Sequence, residues 1–123
     1  MKLSKAEEQL MDFIWKSENI FMKDIIETYP EPKPASTTIA TLLKRMQDKG
    51  FVGYKMYGNS RAYYALVKKD DYFSDHVNGM IKNHFDNSAL QFASFFATNT
   101  KLSQAELEDL KKIVEAQIKK GKS

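Results

Sequence analysis

The sequence predicts a mainly α-helical fold with one small β-hairpin, arranged as an N-terminal domain over residues 1–68 and a helical C-terminal domain over residues 69–123. Three observations support this prediction. Apolar residues recur at helical spacing through most of the chain, two aromatic-rich segments near its middle alternate with a period of two, and polar or proline-rich breaks separate the segments. A chain of 123 residues with 42% hydrophobic content can form one ordinary domain or two small ones.

The first two predicted helices are short and amphipathic. Ser4 and Glu7 form a capping-box pattern that opens a helix ending near Lys16. The apolar face of this helix is predicted to consist of Ala6, Leu10, Phe13 and Ile14, and Trp15 at its end is expected to be structural. Residues 19–22 can supply a single bridge of strand, and residues 23–29 form a second helix that three prolines terminate.

Residues 36–50 predict a third helix with a small, polar and basic outer face. Its inner stripe has the spacing i, i+3, i+4 and i+7 and consists of Ile39, Leu42, Leu43 and Met46. Ser36 is the expected N-cap, and Gly50 stands where a C-terminal left-handed residue is expected. The outward positions are Thr37, Thr38, Thr41, Lys44 and Arg45. Taken alone, the pattern indicates only an amphipathic helix with a solvated face.

A β-hairpin is predicted directly after this helix. Residues 51–57 and 61–67 are rich in aromatic and branched side chains, and Gly58-Asn59-Ser60 between them is typical of a hairpin turn. Three helices followed by a hairpin form the winged helix-turn-helix arrangement, in which the third helix enters the DNA major groove and the hairpin, or wing, follows the backbone. The wing residues expected at the DNA backbone are Lys55, Asn59, Ser60 and Arg61.

The distribution of charge favours a polyanionic partner more strongly than the net charge of +3 does. Residues 1–32 carry four bases against seven acids, and residues 69–123 carry eight of each. Residues 33–68 carry seven bases against Asp48 alone. The excess positive charge therefore lies in the segment that contains the third helix and the hairpin, as expected for a surface that binds phosphates.

The C-terminal domain is predicted to consist of three helices that dimerise. The expected caps are Asp70 or Asp71 for the first helix, Asn87 or Ser88 for the second, and Ser103 with Glu106 for the third, and the final five residues are expected to fray. Because so small a unit cannot bury all of its apolar surface, a second copy of the chain is the economical cover. The predicted dimer interface comprises Phe73, Val77, Ile81, Phe85, Leu90, Phe92, Phe95, Phe96, Leu107, Leu110, Ile113 and Val114.

Several kinds of chemistry are disfavoured. The chain has no cysteine and only two histidines, His76 and His84, so neither a metal site nor a cofactor is expected. No catalytic serine, zinc-protease or nucleotide-binding motif occurs, so we expect no enzyme activity. The polar N-terminus and the lack of a long apolar run predict a cytoplasmic protein without membrane insertion.

Nearly the whole chain resembles the penicillinase and methicillin-resistance repressor family. The resemblance lies in LSKAEEQLMDFIW near the start, TTIATLLKRMQDKGFV through the third helix and LSQAELEDLKKIVEAQ near the end. It implies a transcriptional repressor whose winged-helix domain binds a palindromic double-stranded DNA operator as a homodimer. It also implies that a membrane-bound sensor protease releases the repressor by cutting the dimerisation domain at an Asn-Phe bond.

Two positions depart from the family pattern. Counting back from Leu102-Ser103 places the cleaved bond at Phe95-Phe96, where the asparagine is missing, whereas counting forward from Asn87-Ser88 places it near Phe92-Ala93. Pro34 stands where the family usually has tryptophan. Two other functions stay open on the residues alone: a winged-helix module that binds a protein, and a regulator that binds a small molecule among its phenylalanines.

Overall fold

The computed structural model describes residues 2–122, which form six helices and three short strands. Their order along the chain is α1 (Lys5–Trp15), β1 (Ile20–Phe21), α2 (Met22–Thr28), α3 (Ser36–Asp48), β2 (Val52–Tyr57), β3 (Ser60–Ala65), α4 (Lys69–His84), α5 (Ala89–Asn99) and α6 (Gln104–Gly121). The predicted mainly α-helical fold with a small hairpin is thus confirmed.

The sheet has three antiparallel strands in the order β1-β3-β2. Residues 20 and 21 pair with Tyr63 and Ala62, so the connector before α2 supplies a third strand beside the hairpin. The hairpin turn is two residues long, with Gly58 at a φ of 62° in its first position, as a type II′ turn requires. Ser60, which we expected in the turn, is instead the first residue of β3.

The first three helices and the sheet enclose the hydrophobic core. Fully buried side chains come from α1 (Leu10, Met11, Ile14), α2 (Ile25), α3 (Ile39, Leu43, Met46) and β2 (Val52). Leu42 is only partly buried at the edge of this core. Three helices that pack under a small antiparallel sheet in this order form a winged helix-turn-helix, as predicted.

Two sequence predictions about the helices of this core were wrong. Ala6 is exposed, and the neighbouring Glu7 occupies the inward position instead. The Glu7 carboxylate can be buried there because it forms an ion pair with Lys49. Ser36 is not the N-cap of α3; Ala35 occupies that position without a side-chain hydrogen bond, and Ser36 is the first helical residue. Gly50 has a φ of 82° after α3, which confirms the left-handed residue expected there.

The start of α4 packs against the winged-helix core. The Tyr72 ring lies against Trp15 and Phe51, and Trp15 donates its indole N–H to the carbonyl of Val67 at 2.8 Å, which confirms its structural role. The chain divides into two compact units between Ser74 and Asp75, whereas the predicted boundary lay between residues 68 and 69. Asp70 and Asp71 lie in the first turn of α4 and do not cap it.

The second unit contains the rest of α4 with α5 and α6, and none of its described residues is buried. Ser88 caps α5, and Ser103 with Glu106 forms the predicted capping box of α6. A left-handed pair, Asp86 and Asn87, separates α4 from α5. The tail is not frayed as predicted, since α6 continues to Gly121; the final residue, Ser123, lies outside the described range.

Candidate nucleic-acid interface

The outer face of α3 is exposed along its whole length. Ile39, Leu43 and Met46 anchor the helix in the core, so its opposite side must face solvent. The five outward residues predicted from the sequence are all exposed: Thr37, Thr38, Thr41, Lys44 and Arg45. The face therefore offers hydroxyl groups, methyl groups and two cations at the spacing of a helix that can enter a major groove.

Two of these residues have local partners. The Thr41 hydroxyl donates to the Thr37 carbonyl at 2.9 Å, so it presents its methyl group and remaining acceptor capacity outward. Lys44 forms an ion pair with Asp48 at 3.0 Å, and both side chains are largely exposed. Exposed pairs of this kind contribute little free energy, so a phosphate can displace Asp48 at small cost.

The wing carries its cations on both faces of the ribbon. Lys55 lies opposite Ala62, and Arg61 lies opposite Met56, so the two basic side chains point to opposite sides. The Arg61 guanidinium lies 4.3 Å from the centre of the Tyr54 ring, and Lys55 lies 5.9 Å from that of Tyr64. Aromatic contacts orient both cations without neutralising them, so their charges remain available to an anion.

The charge map of the sequence overstates the basic surface, because two of the seven bases, in addition to Lys44, have partners within the chain. Lys49 forms a 2.7 Å ion pair with buried Glu7 and also donates to the carbonyl of Lys2. Lys33 donates to the carbonyls of Glu27 and Tyr29. The remaining bases lie on α3, on the wing and just after it.

The Glu7–Lys49 pair was not anticipated from the sequence. Burial raises the pKa of the Glu7 carboxyl, but hydrogen bonds from Lys49 and Ser4 outweigh it and lower the pKa below 4.5. The pair joins the first turn of α1 to Lys49, the C-cap of α3. The only sequence signal for this pair is the capping-box pattern of Ser4 and Glu7. The box fixes the Glu7 carboxylate at the start of α1, where Lys49 forms the ion pair.

The predicted interface residues of the second unit are aromatic or aliphatic, and several of them are exposed. Phe85 packs against Phe92 and Phe95 with ring centres 5.5 and 5.3 Å apart. Exposed apolar residues within this set include Val77, Leu90, Phe95, Phe96, Ile113 and Val114. Phe73 differs from the others because it lies in the first unit, where its ring meets Trp15 and Tyr72.

The candidate cleavage bond, Phe95-Phe96, lies inside α5 rather than in a loop. Both side chains are partly exposed, but the peptide bond belongs to a helix that runs from Ala89 to Asn99. Phe92-Ala93, the other register, lies in the same helix. A protease must therefore unwind part of α5 before it can cut either bond.

No helix among residues 2–122 is both long and apolar enough to cross a membrane. Within the same range, histidine and carboxylate side chains do not gather in a group of three or more that could hold a metal ion.

Comparison with known proteins identifies the class. Residues 3–116 match the family described as penicillinase repressor. The chain is 31% identical over 118 residues to the methicillin resistance regulatory protein MecI of Staphylococcus aureus strain N315, covering 92% of this chain and 93% of that protein. It is 25% identical over 115 residues to the penicillinase repressor of Bacillus licheniformis, covering 93% and 90%. A solution structure of the DNA-binding domain of the repressor BlaI aligns with a TM-score of 0.48 and 27% identity, over 58% of this chain and 88% of that one.

A winged helix-turn-helix with an exposed basic face on its third helix defines a class of regulatory protein rather than an enzyme. The chain belongs to the penicillinase repressor family.

Proposed function

We propose that the protein is a homodimeric repressor that binds a palindromic double-stranded DNA operator. The observation that carries the proposal is the exposure of all nine predicted DNA-binding residues on α3 and the wing of one winged helix. The family membership supports the same conclusion. Residues 1–68 would bind DNA, and residues 69–123 would hold two subunits together.

In this proposal α3 lies in the major groove and the wing follows the adjacent backbone. Thr37, Thr38 and Thr41 approach base edges, where a threonine methyl group can pack on a thymine methyl and a hydroxyl can hydrogen-bond. Arg45 and the wing residues Lys55 and Arg61 contact phosphates, and Lys44 contacts a phosphate or a base edge. Asn59 and Ser60 add neutral hydrogen bonds to the backbone. The twofold axis of a dimer places two half-sites about one helical turn, or a multiple of it, apart.

The test is a binding measurement on the DNA upstream of the protein's own operon. Affinity is expected to fall steeply with salt, and Lys44→Ala combined with Arg61→Ala should reduce the slope of log affinity against log salt by about 0.9 per lost phosphate contact. The matched control is Lys5→Ala combined with Lys16→Ala, which removes the same charge from exposed positions of α1 and its C-cap. Binding by the first variant that equals wild type at every salt concentration would exclude this interface.

DNA binding, together with thermal stability, distinguishes this proposal from the two other functions. A module that binds a protein predicts no retention on DNA at low salt. A regulator that binds a small molecule predicts a compound that raises thermal stability while weakening DNA binding.

We further propose that cleavage within α5 by a membrane-bound sensor protease releases the repressor. The proposal is supported by family membership and by the partial exposure of Phe95 and Phe96 on a helix of the proposed dimerisation domain. Cutting α5 would remove the apolar face that holds the dimer, and single subunits would then lose the contacts of the second half-site.

A further inference from the structure

A groove separates the wing from the junction of β1 and α2. Its volume is about 520 Å³, and it lies on the first unit, between the wing tip and residues 21–23. Phe21 and Tyr57 line it with rings that meet edge to face at 6.0 Å. Because Phe21 is also paired with Ala62 in the sheet, this side of the groove is held by the backbone of β1 and β3.

The groove is basic and rich in hydrogen-bond donors. Lys23 lines it from the α2 side, and Arg61 lines it from the wing together with Asn59 and Ser60. None of the lining residues is acidic within the part of the chain that the structure describes. Lys23 is exposed and is held by no ion pair among these residues, while Tyr54 orients Arg61 from one face of its guanidinium. Two cations thus border one concave surface without an anion between them.

We infer that this groove binds a phosphodiester of the DNA backbone, with Lys23 as a phosphate contact beyond α3 and the wing tip. The inference rests on the proposed DNA binding and extends it to α2. The charge and the donors suit a phosphate, and the aromatic side suits the apolar face of a deoxyribose.

The openness of the groove favours a DNA strand over a small molecule. Lys23, Tyr57, Asn59, Ser60 and Arg61 are all exposed, so a small ligand seated among them would keep much of its surface in water. Small-molecule sites generally bury most of their ligand. A continuous backbone that already passes the wing tip needs no such enclosure, because neighbouring phosphates hold it in place.

The first test uses the full-length protein and the tightest duplex that the wild type selects from a random-sequence library. Lys23→Ala should lower the slope of log affinity against log salt by about 0.9 per subunit. It should also weaken binding to the selected duplex and to a scrambled one by the same factor, because a phosphate contact carries no sequence information. Lys23→Arg should retain most of the slope. Lys5→Ala is the control, since Lys5 is exposed on α1 and does not line the groove.

The second test locates the contact. The chain has no cysteine, so Lys23→Cys creates a single attachment point for a photo-crosslinker. Irradiation should cross-link this variant to the backbone of the selected duplex, whereas Lys5→Cys with the same reagent should give no adduct.

The outcomes distinguish this inference from the proposed function. If the wild type binds no duplex with salt-dependent affinity, repression through DNA binding is wrong, and the inference is wrong with it. If the wild type binds and Arg61→Ala lowers the salt slope, but Lys23→Ala leaves it unchanged and Lys23→Cys gives no adduct, only the groove inference is overturned.

Discussion

Glu7 shows how one buried charge can organise the end of a helix. Its carboxylate is almost completely buried and accepts hydrogen bonds from the Ser4 backbone N–H and from the Lys49 ammonium, both at 2.7 Å. An isolated carboxylate in this position would lose its hydration without compensation. The pair therefore explains why an inward position of α1 can hold a glutamate instead of an apolar residue.

This pair predicts acid-sensitive stability. Because the folded-state pKa of Glu7 lies below 4.5, its contribution is present at neutral pH and is lost as the pH falls below that value. Glu7→Gln should lower the free energy of unfolding by about 1–3 kcal/mol at pH 7. Urea unfolding from pH 7 down to pH 3 should show this difference shrinking with acid. The exposed Glu18→Gln serves as the control, and a difference that stayed constant with pH would contradict the assignment.

At the scale of elements, the predictions succeeded where the pattern is local and failed where a distant partner decides. The capping boxes at Ser4 and Ser103 and the left-handed Gly50 depend on neighbouring residues, and all three were predicted. The strand predicted within residues 19–22 is present as β1, but its partner could not be predicted, because the pairing of β1 with β3 joins segments that lie far apart in the sequence. The burial of Glu7 likewise depends on Lys49, which lies far away in the sequence.

The candidate interface follows the same division. A helical period identifies the outward residues of α3, so exposure of that face was predictable. Alternation along β2 and β3 places Lys55 and Arg61 on opposite faces, but the groove that joins Arg61 to Lys23 depends on where β1 docks. No spacing in the sequence relates those two cations, because α2 comes close to the wing only when β1, which directly precedes α2, pairs with β3.

The start of α4 predicts a second effect, on stability at alkaline pH. The Tyr72 hydroxyl donates to Glu8 at 2.7 Å and accepts from the Leu3 N–H at 3.2 Å, so it ties α4 to both sides of the α1 N-terminus. Tyr72→Phe should lower the free energy of unfolding of the first unit by about 1–3 kcal/mol, because the Leu3 N–H loses its partner. The matched control is Tyr57→Phe, since Tyr57 is exposed. Equal urea midpoints for the two variants would show that the hydrogen bonds of Tyr72 do not stabilise the first unit.

The same hydroxyl sets the direction of the pH effect. Burial, with the hydrogen bond to Glu8, raises the pKa of Tyr72 to about 12 from 10.0. Its contribution is therefore complete below pH 10 and is lost as the pH rises through the folded-state value. The difference in free energy of unfolding between wild type and Tyr72→Phe should therefore narrow as the pH rises from 10 to about 12.

Helix α5 carries the prediction about release. If the sensor protease acts on this chain, exposure of cells to a β-lactam should yield a fragment that ends at Phe95, detectable by mass spectrometry of the intact and cleaved protein. A fragment that ends at Phe92 would assign the other register. An intact chain during derepression would rule out cleavage as the switch.

For the whole molecule, the apolar surface of the second unit predicts the oligomeric state. Phe95→Asp or Leu110→Asp should give monomers in sedimentation and abolish operator binding, because each substitution places an unpaired charge in the proposed interface. Leu66→Asp is the control, since Leu66 is an exposed apolar residue of the first unit. If both interface variants remained dimeric, this surface would be excluded as the dimer interface.

None of the described residues of the second unit is buried, and for the proposed dimer this has a consequence for dosage. In the proposed dimer, folding and pairing of this unit are one equilibrium, so mass action governs both. Its melting temperature should rise with chain concentration, while that of the winged helix stays constant. Where dimers are scarce, occupancy of an operator would grow with the square of the amount of protein, so halving synthesis would cut that occupancy about fourfold. Gene output would then respond to how much repressor the cell makes, even before any signal arrives.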